Sequence, residues 1–229
     1  MGQQPATRPH SNNVVPLFDH RRRPRRPATV RLSPEYDGIE LLYANDQHPD
    51  KLFSLKVLCW ALRDDGEVVA MVPWLKSAVA ASELEDPLNG RWEGYRIPDS
   101  DWMFYDAPEH KLHELQAAAR FFARDGQTVA TGQEIPDTIG THAVCSDDGF
   151  ETVNLMEVVS WRLGESGQLE ALVADDEGVT RTPILPGDPC LQPVQARADF
   201  RYFFQHGIAN RIKERDPEAL AALSLLCHD

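Results

Sequence analysis

Asp65-Gly66 stands between two apolar runs, Lys56–Arg63 and Glu67–Trp74, and this dipeptide constrains the fold more than any other feature of the chain. An Asp-Gly pair between two apolar runs accepts the positive φ angle of a tight turn, so the runs are expected to form an antiparallel hairpin. On the first run, Val57, Cys59 and Ala61 share one face, and Leu58, Trp60 and Leu62 share the other. Both faces are apolar, so the hairpin must be covered on two sides. Pro73 lacks an N–H, which marks the end of the second strand as an edge or a bend.

A second strand-like block follows a helical segment. Its candidates are Thr128–Ile135, Thr141–Cys145, Glu151–Arg162, Gln168–Ala174 and Val179–Pro183, separated by Pro136, Asp148-Gly149, Gly164–Gly167 and Gly178. These breaks are too short for parallel crossovers, so an antiparallel meander is expected. The helix between the blocks opens at Asp106-Ala107-Pro108-Glu109, which has the spacing of a capping box. Leu112, Leu115, Ala119 and Phe122 then form one helical stripe, and Gly126 ends it. Phe200, Phe204, Ile208 and Ile212 predict a further helix over Asp199–Glu214, and Asp216-Pro217 opens another that reaches Leu226. Ser77–Tyr105 reads as a long irregular loop rich in aromatics, a lid over a pocket or a plug over a sheet end. No internal repeat is expected. The resulting fold class is α+β: a bent antiparallel sheet or partly open β-barrel with one inserted helix and a C-terminal helical pair.

Charge divides the chain. Residues 1–31 hold seven Arg and one acid, a formal +6; the rest keeps 16 of the 23 basic and 35 of the 36 acidic residues, a formal −19. Two units follow: a disordered basic Pro/Arg arm over 1–31 and one α+β domain over 32–229. The arm also carries an apolar patch, Val14-Val15-Pro16-Leu17-Phe18. Arg21, Arg22, Arg23, Arg25 and Arg26 form its polyanion-binding candidate, and nucleic acid is expected to be reached only there. An acidic body disfavours such contacts elsewhere.

No apolar run approaches the roughly 20 residues of a membrane helix, so no membrane association is expected. The N-terminus lacks the apolar stretch of a secretory signal. Cys59, Cys145, Cys190 and Cys227 are far apart with no CxxC pair, which fits isolated thiols and a cytoplasmic location.

The chain carries no phosphate-binding GxxxxGK[ST], dinucleotide GxGxxG, HExxH or GxSxG segment, and no cofactor is expected. Three groups remain as site candidates. Glu157 alternates onto the face of Val153, Leu155, Val159 and Trp161. A carboxylate desolvated on that face would serve as an acid or base, with His142 as its neighbour. Trp92, Glu93, Tyr95 and Arg96, with Trp102 and Trp161, offer aromatic faces beside polar handles, as a stacking ligand site requires. Asp106, Glu109, His110 and His113 cluster on one side of the helix start and form a weak metal-ligand set. The leading functional expectation is a non-catalytic ligand-binding or protein-interaction module, with a small molecule, a protein or a second copy of the chain as partner. The alternatives are a hydrolase- or lyase-type enzyme working through Glu157, and nucleic-acid contact through the arm.

Overall fold

The computed structural model describes residues 27–45, 48–84, 91–123, 130–147, 149–174 and 184–205. Arg21, Arg22, Arg23, Arg25 and Arg26, the strand expected at Val179–Pro183 and the final helix before Leu226 lie outside these residues. The described fold is mostly antiparallel sheet, with 47% strand, one α-helix and no closed barrel.

The Asp-Gly hairpin forms as expected. Strand β4 (Cys59–Arg63) pairs with β5 (Val68–Trp74), with Trp60 opposite Ala70. Strand β1 (Thr29–Pro34) pairs with the other edge of β4, and β6 (Ser77–Ala80) pairs with β5, giving the order β1-β4-β5-β6. β1 begins two residues before the limit expected for the arm. Pro73 lies past Met71, the last β5 residue opposite β4, so its missing N–H costs no bond to that strand. A second sheet holds β2 (Glu40–Asn45), β3 (His48–Lys56), β7 (Arg91–Arg96) and β8 (Met103–Phe104) in the order β3-β2-β7-β8. A third holds β9 (Glu134–Pro136), β10 (His142–Cys145), β11 (Asn154–Leu163), β12 (Leu169–Ala174), β13 (Leu191–Pro193) and β14 (Phe200–Phe204).

The β1-β4-β5-β6 sheet lies between two apolar clusters. Trp60, Leu62, Ala70, Val72 and Trp74 belong to one, together with Leu41, Tyr43 and Tyr95. Leu32, Leu58, Ala61, Val69 and Met71 belong to the other, together with Trp161, Leu163, Val173 and Phe203. Side chains alternate across a strand, so this sheet is covered on both faces, as the double apolar pattern requires. A fully buried Leu, Val or Met contributes roughly 1.5–3 kcal/mol. The four Leu, Val and Met residues named on the second face are therefore comparable with the whole net stability of a domain, about 5–15 kcal/mol. The two clusters stand or fall together.

Helix α1 (Glu109–Ala123) matches the expected helix and buries Leu115 against the first cluster. Its start differs from the expected capping box. The first intrahelical bond runs from Leu112 N–H to Pro108 C=O at 3.1 Å, so Pro108 occupies the N-cap and not Asp106. Two further expectations fail. Ser77–Tyr105 contains β6, a 3₁₀ turn over Ala81–Glu83, β7 and β8. Phe200–Phe204, the expected first turn of a helix, is strand β14, paired with β10 through Ala143 opposite Phe203.

The chain also repeats itself, against expectation. β1 pairs β4 as β9 pairs β11; β2 pairs β3 and β7 as β10 pairs β11 and β14; β5 pairs β4 and β6 as β12 pairs β11 and β13. A 3₁₀ turn follows β6 at Ala81–Glu83, and another follows β13 at Val194–Ala196. The sequences agree at the same positions. Trp60, Leu62, Gly66, Val68 and Ala70 recur in the same spacing as Trp161, Leu163, Gly167, Leu169 and Ala171. An acid–indole bond is matched in each half: the Trp60 indole N–H donates to the buried Glu35 Oε2 at 2.7 Å, and the Trp161 indole N–H donates to the half-buried Asp137 Oδ2 at 2.8 Å. Each acid directly follows a proline, Pro34 or Pro136. Helix α1 and β8 follow the first half, and among the described residues the second half ends at Gln205, one residue past β14.

Candidate functional site

A groove of about 460 Å³ opens where the halves meet, within the range of ordinary ligand sites. One wall is β6 with Glu83; the other is the β11–β12 turn, Ser166-Gly167-Gln168, with Gln195; Pro27–Thr29 and Arg63 close one end. Gly167 sets the separation of the walls. Its φ is +75°, and a Cβ there would stand 3.1 Å from Ala28 Cβ and 3.3 Å from Thr29 N. Only glycine allows that approach without strain. Arg63 is buried and answered by carboxylates: it meets Glu83 Oε1 at 2.5 Å and Glu67 Oε2 at 3.6 Å. It braces the groove and is not a spare cation. Glu170 at the rim is engaged by Arg162 at 2.7 Å.

The polypeptide edge in this groove sets it apart. Met71 C=O accepts from Leu58 N–H, so it points toward β4. Alternation then turns Val72 and Trp74 toward β6, where they face Val79 and Ser77. Ala78 and Ala80 consequently direct their N–H and C=O groups away from β5; Ala78 is half-buried there, whereas Ala80 is buried. Three other strand segments are met by side-chain amides. Gln195 accepts from Ala171 N–H at 2.9 Å and donates to Leu169 C=O at 3.1 Å, extending the ladder beside β12. Gln133 does the same for β1, accepting from Leu32 N–H at 2.9 Å and donating to Leu32 C=O at 2.8 Å. Gln205 accepts from Lys56 N–H at 3.0 Å at the end of β3. Among the described residues, no amide covers β6 in this way.

The structure separates the expected catalytic pair from its premise. His142 and Glu157 do face each other across β10 and β11. Glu157, however, is exposed and not desolvated. The register shift between Val158 and Ser160 resets the alternation, so Trp161 is buried while Glu157 is not. The ring of His142 sits 3.1 Å from Gly140 C=O through Nδ1.

The aromatic group is divided as well. Tyr95 is buried, with its ring centroid 5.3 Å from that of Trp60 and 5.1 Å from that of Trp92. Burial pushes the Tyr95 phenol well above its ordinary value. Trp92 is half-buried, and its indole N–H has no hydrogen-bond partner among the described residues. Arg96 donates to Glu40 Oε2 at 2.6 Å, and Glu93 is half-buried on the same strand. Trp161 is sealed beneath Phe203, with centroids 5.0 Å apart. Trp102 alone of the group stands out, 73% exposed. Tyr36, Ile97 and Tyr105 are exposed as well, on three connections, of which the β1–β2 and β7–β8 connections approach each other where Gly38 lies beside Pro98.

The weak metal set is on the surface: His110 approaches Asp37 at 4.0 Å and His113 approaches Glu109 at 3.7 Å, all largely exposed. Among the described residues, no group of three or more His, Cys, Asp or Glu is placed to hold a metal ion. Within the same residues, no helix is long and apolar enough to cross a membrane. Cys59, Cys145 and Cys190 are buried.

One buried polar cluster escaped the sequence reading. Glu35, 1% exposed, accepts from Asp37 N–H at 2.5 Å besides the Trp60 indole. Beside it Lys111 donates to Ser33 Oγ at 3.0 Å and to Pro34 C=O at 2.6 Å, and Ser33 Oγ donates to Glu114 Oε1 at 2.9 Å. A serine beside a lysine is a nucleophile–base pairing in other settings. Here Ser33 is 1% exposed and its proton is held by Glu114, so the cluster pins α1 onto β1. Cys59 lies in the same region, and its burial raises the thiol far above its ordinary value.

No protein-family model, curated protein or solved structure matches the chain. The functional reading therefore rests on geometry alone.

Proposed function

We propose that the protein is a non-catalytic interaction module that takes an extended polypeptide segment in the groove between its halves. The observation that carries this reading is the outward edge of β6 at Ala78, lying in the groove with no side-chain amide over it among the described residues. An extended segment would add a strand there: its main-chain bonds supply affinity, and alternate side chains read the walls. The mixed lining, with apolar Met71 and Leu169 beside Glu83 and Gln195, suits such a segment. The β6 edge belongs to a four-stranded antiparallel sheet buried on both faces, a scaffold suited to holding such an edge rigid. The exposure of Glu157 removes the desolvation on which an acid–base role was argued.

Selection from a displayed library of random linear peptides tests the reading. The protein should recover extended sequences, and Ala78→Pro, which removes an outward N–H, should lose them. Peptides that bind the proline variant equally well would refute the β6 site.

A further inference from the structure

We infer that the segment taken by the groove is uncharged except for one carboxylate side chain, which Lys76 receives; this rests on reading the groove as a polypeptide site. Four charged residues line the groove: Arg63, Lys76, Glu83 and Glu170. Three of them are already answered. Arg63 donates to Glu83 Oε1 at 2.5 Å and lies 3.6 Å from Glu67 Oε2. Glu170 Oε2 accepts from Arg162 twice, from Nε at 3.1 Å and from Nη2 at 2.7 Å. Lys76 is exposed, and among the described residues it meets no carboxylate. An incoming acid can therefore match it without breaking an existing pair.

The place of Lys76 in the fold directs that match. It directly precedes β6, which leads from Ser77, opposite Trp74, to Ala80, opposite Met71, and on to the turn that holds Glu83. Arg63 and Pro27–Thr29 close the groove at the Glu83 end, so Lys76 stands at the other end, two residues from the outward edge at Ala78. A segment paired with Ala78 continues past Lys76. Side chains on neighbouring strands start from Cβ atoms about 5 Å apart, well within the reach of a lysine. Charge sets the rest of the segment's chemistry. A Lys or Arg in the segment would compete for Glu83 or Glu170 with a guanidinium that each already holds. A run of acids would meet the negative body with one cation to answer it. A single carboxylate escapes both penalties: salt screens exposed charges beyond about 10 Å, whereas its contact with Lys76 is close.

Selection from the library of random linear peptides on the full-length chain, on K76Q and on K76E tests this. Peptides from the unaltered protein should carry one Asp or Glu. A synthetic copy of one should bind K76Q about three- to fivefold more weakly at about 100 mM salt, the usual scale of a cross-strand charge pair. Raising the salt to about 500 mM should shrink that difference. Selection on K76E should return Lys or Arg at the same position, a reversal that a merely structural role for Lys76 would not produce. Peptides that are lost by Ala78→Pro, carry no acid and bind K76Q equally keep the polypeptide site and overturn the carboxylate. Acid-bearing peptides that bind K76Q and the unaltered protein alike overturn Lys76 as its receiver. Recovery of no extended sequence overturns both readings.

Discussion

At the residue scale, two acid–indole contacts anchor the halves, and they should be energetically alike. Trp60→Phe and Trp161→Phe each keep a ring and remove one N–H from a carboxylate. Each should cost about 1–3 kcal/mol by urea denaturation, the usual penalty for a buried group left short of a partner. A cost at one site and none at the other would contradict their equivalence. These contacts are hard to see in sequence, because Glu35 and Asp137 lie far from their tryptophans and look like turn acids. Glu157 misled in the opposite direction: strict alternation buries it, and a bulge two residues later exposes it. The pH dependence also belongs to this scale. Burial raises the folded-state pKa values of Cys59, Cys145 and Tyr95. The unfolded chain therefore gives up these protons first. Their contribution is complete below the unfolded thiol value of about 8.5 and declines as pH rises above it. The urea midpoint should fall between about pH 8 and pH 10, and Cys59→Ala should flatten that fall. An unchanged slope would remove Cys59 as a cause.

At the element scale, the two hairpin turns offer a controlled comparison. Gly66 and Gly167 both have positive φ, at +89° and +75°. A Cβ on Gly66 meets nothing within 4 Å, whereas on Gly167 it meets Ala28 and Thr29. Gly66→Ala should cost about 1–2 kcal/mol from backbone strain alone. Gly167→Ala should cost more, and should also narrow or distort the groove; equal thermal-denaturation shifts would mean that the turn does not brace the groove. The first hairpin and α1 were legible because each has a local signal: Asp-Gly between apolar runs, and a Leu112/Leu115/Ala119 stripe. β14 was not. Phe200 and Phe204 fit a helical step, but Phe200-Arg201-Tyr202-Phe203-Phe204 is also an aromatic-rich strand, and pairing with β10 decides between them. The strands within Ser77–Tyr105 are short and punctuated by Pro and Gly, so their pairing partners define them better than their own sequence does.

At the scale of the whole molecule, the repeat is what the groove depends on. The spacing Trp-x-Leu-x-x-x-Gly-x-[Val/Leu]-x-Ala occurs at Trp60 and again at Trp161. It was available to sequence reading, but intervening α1 and unequal loops hide it at any fixed period. The β4–β5 sheet lends its outer face to the core of the second half, which places β6 beside the β11–β12 turn and creates the groove. No single segment encodes that juxtaposition. The most direct test is an amide chemical-shift map of the protein with a library-selected peptide added. The groove reading predicts the largest changes at Ala78, Ala80, Gly167 and Gln195. Changes centred instead on Tyr36, Ile97, Trp102 and Tyr105, with Ala78 unmoved, would contradict it.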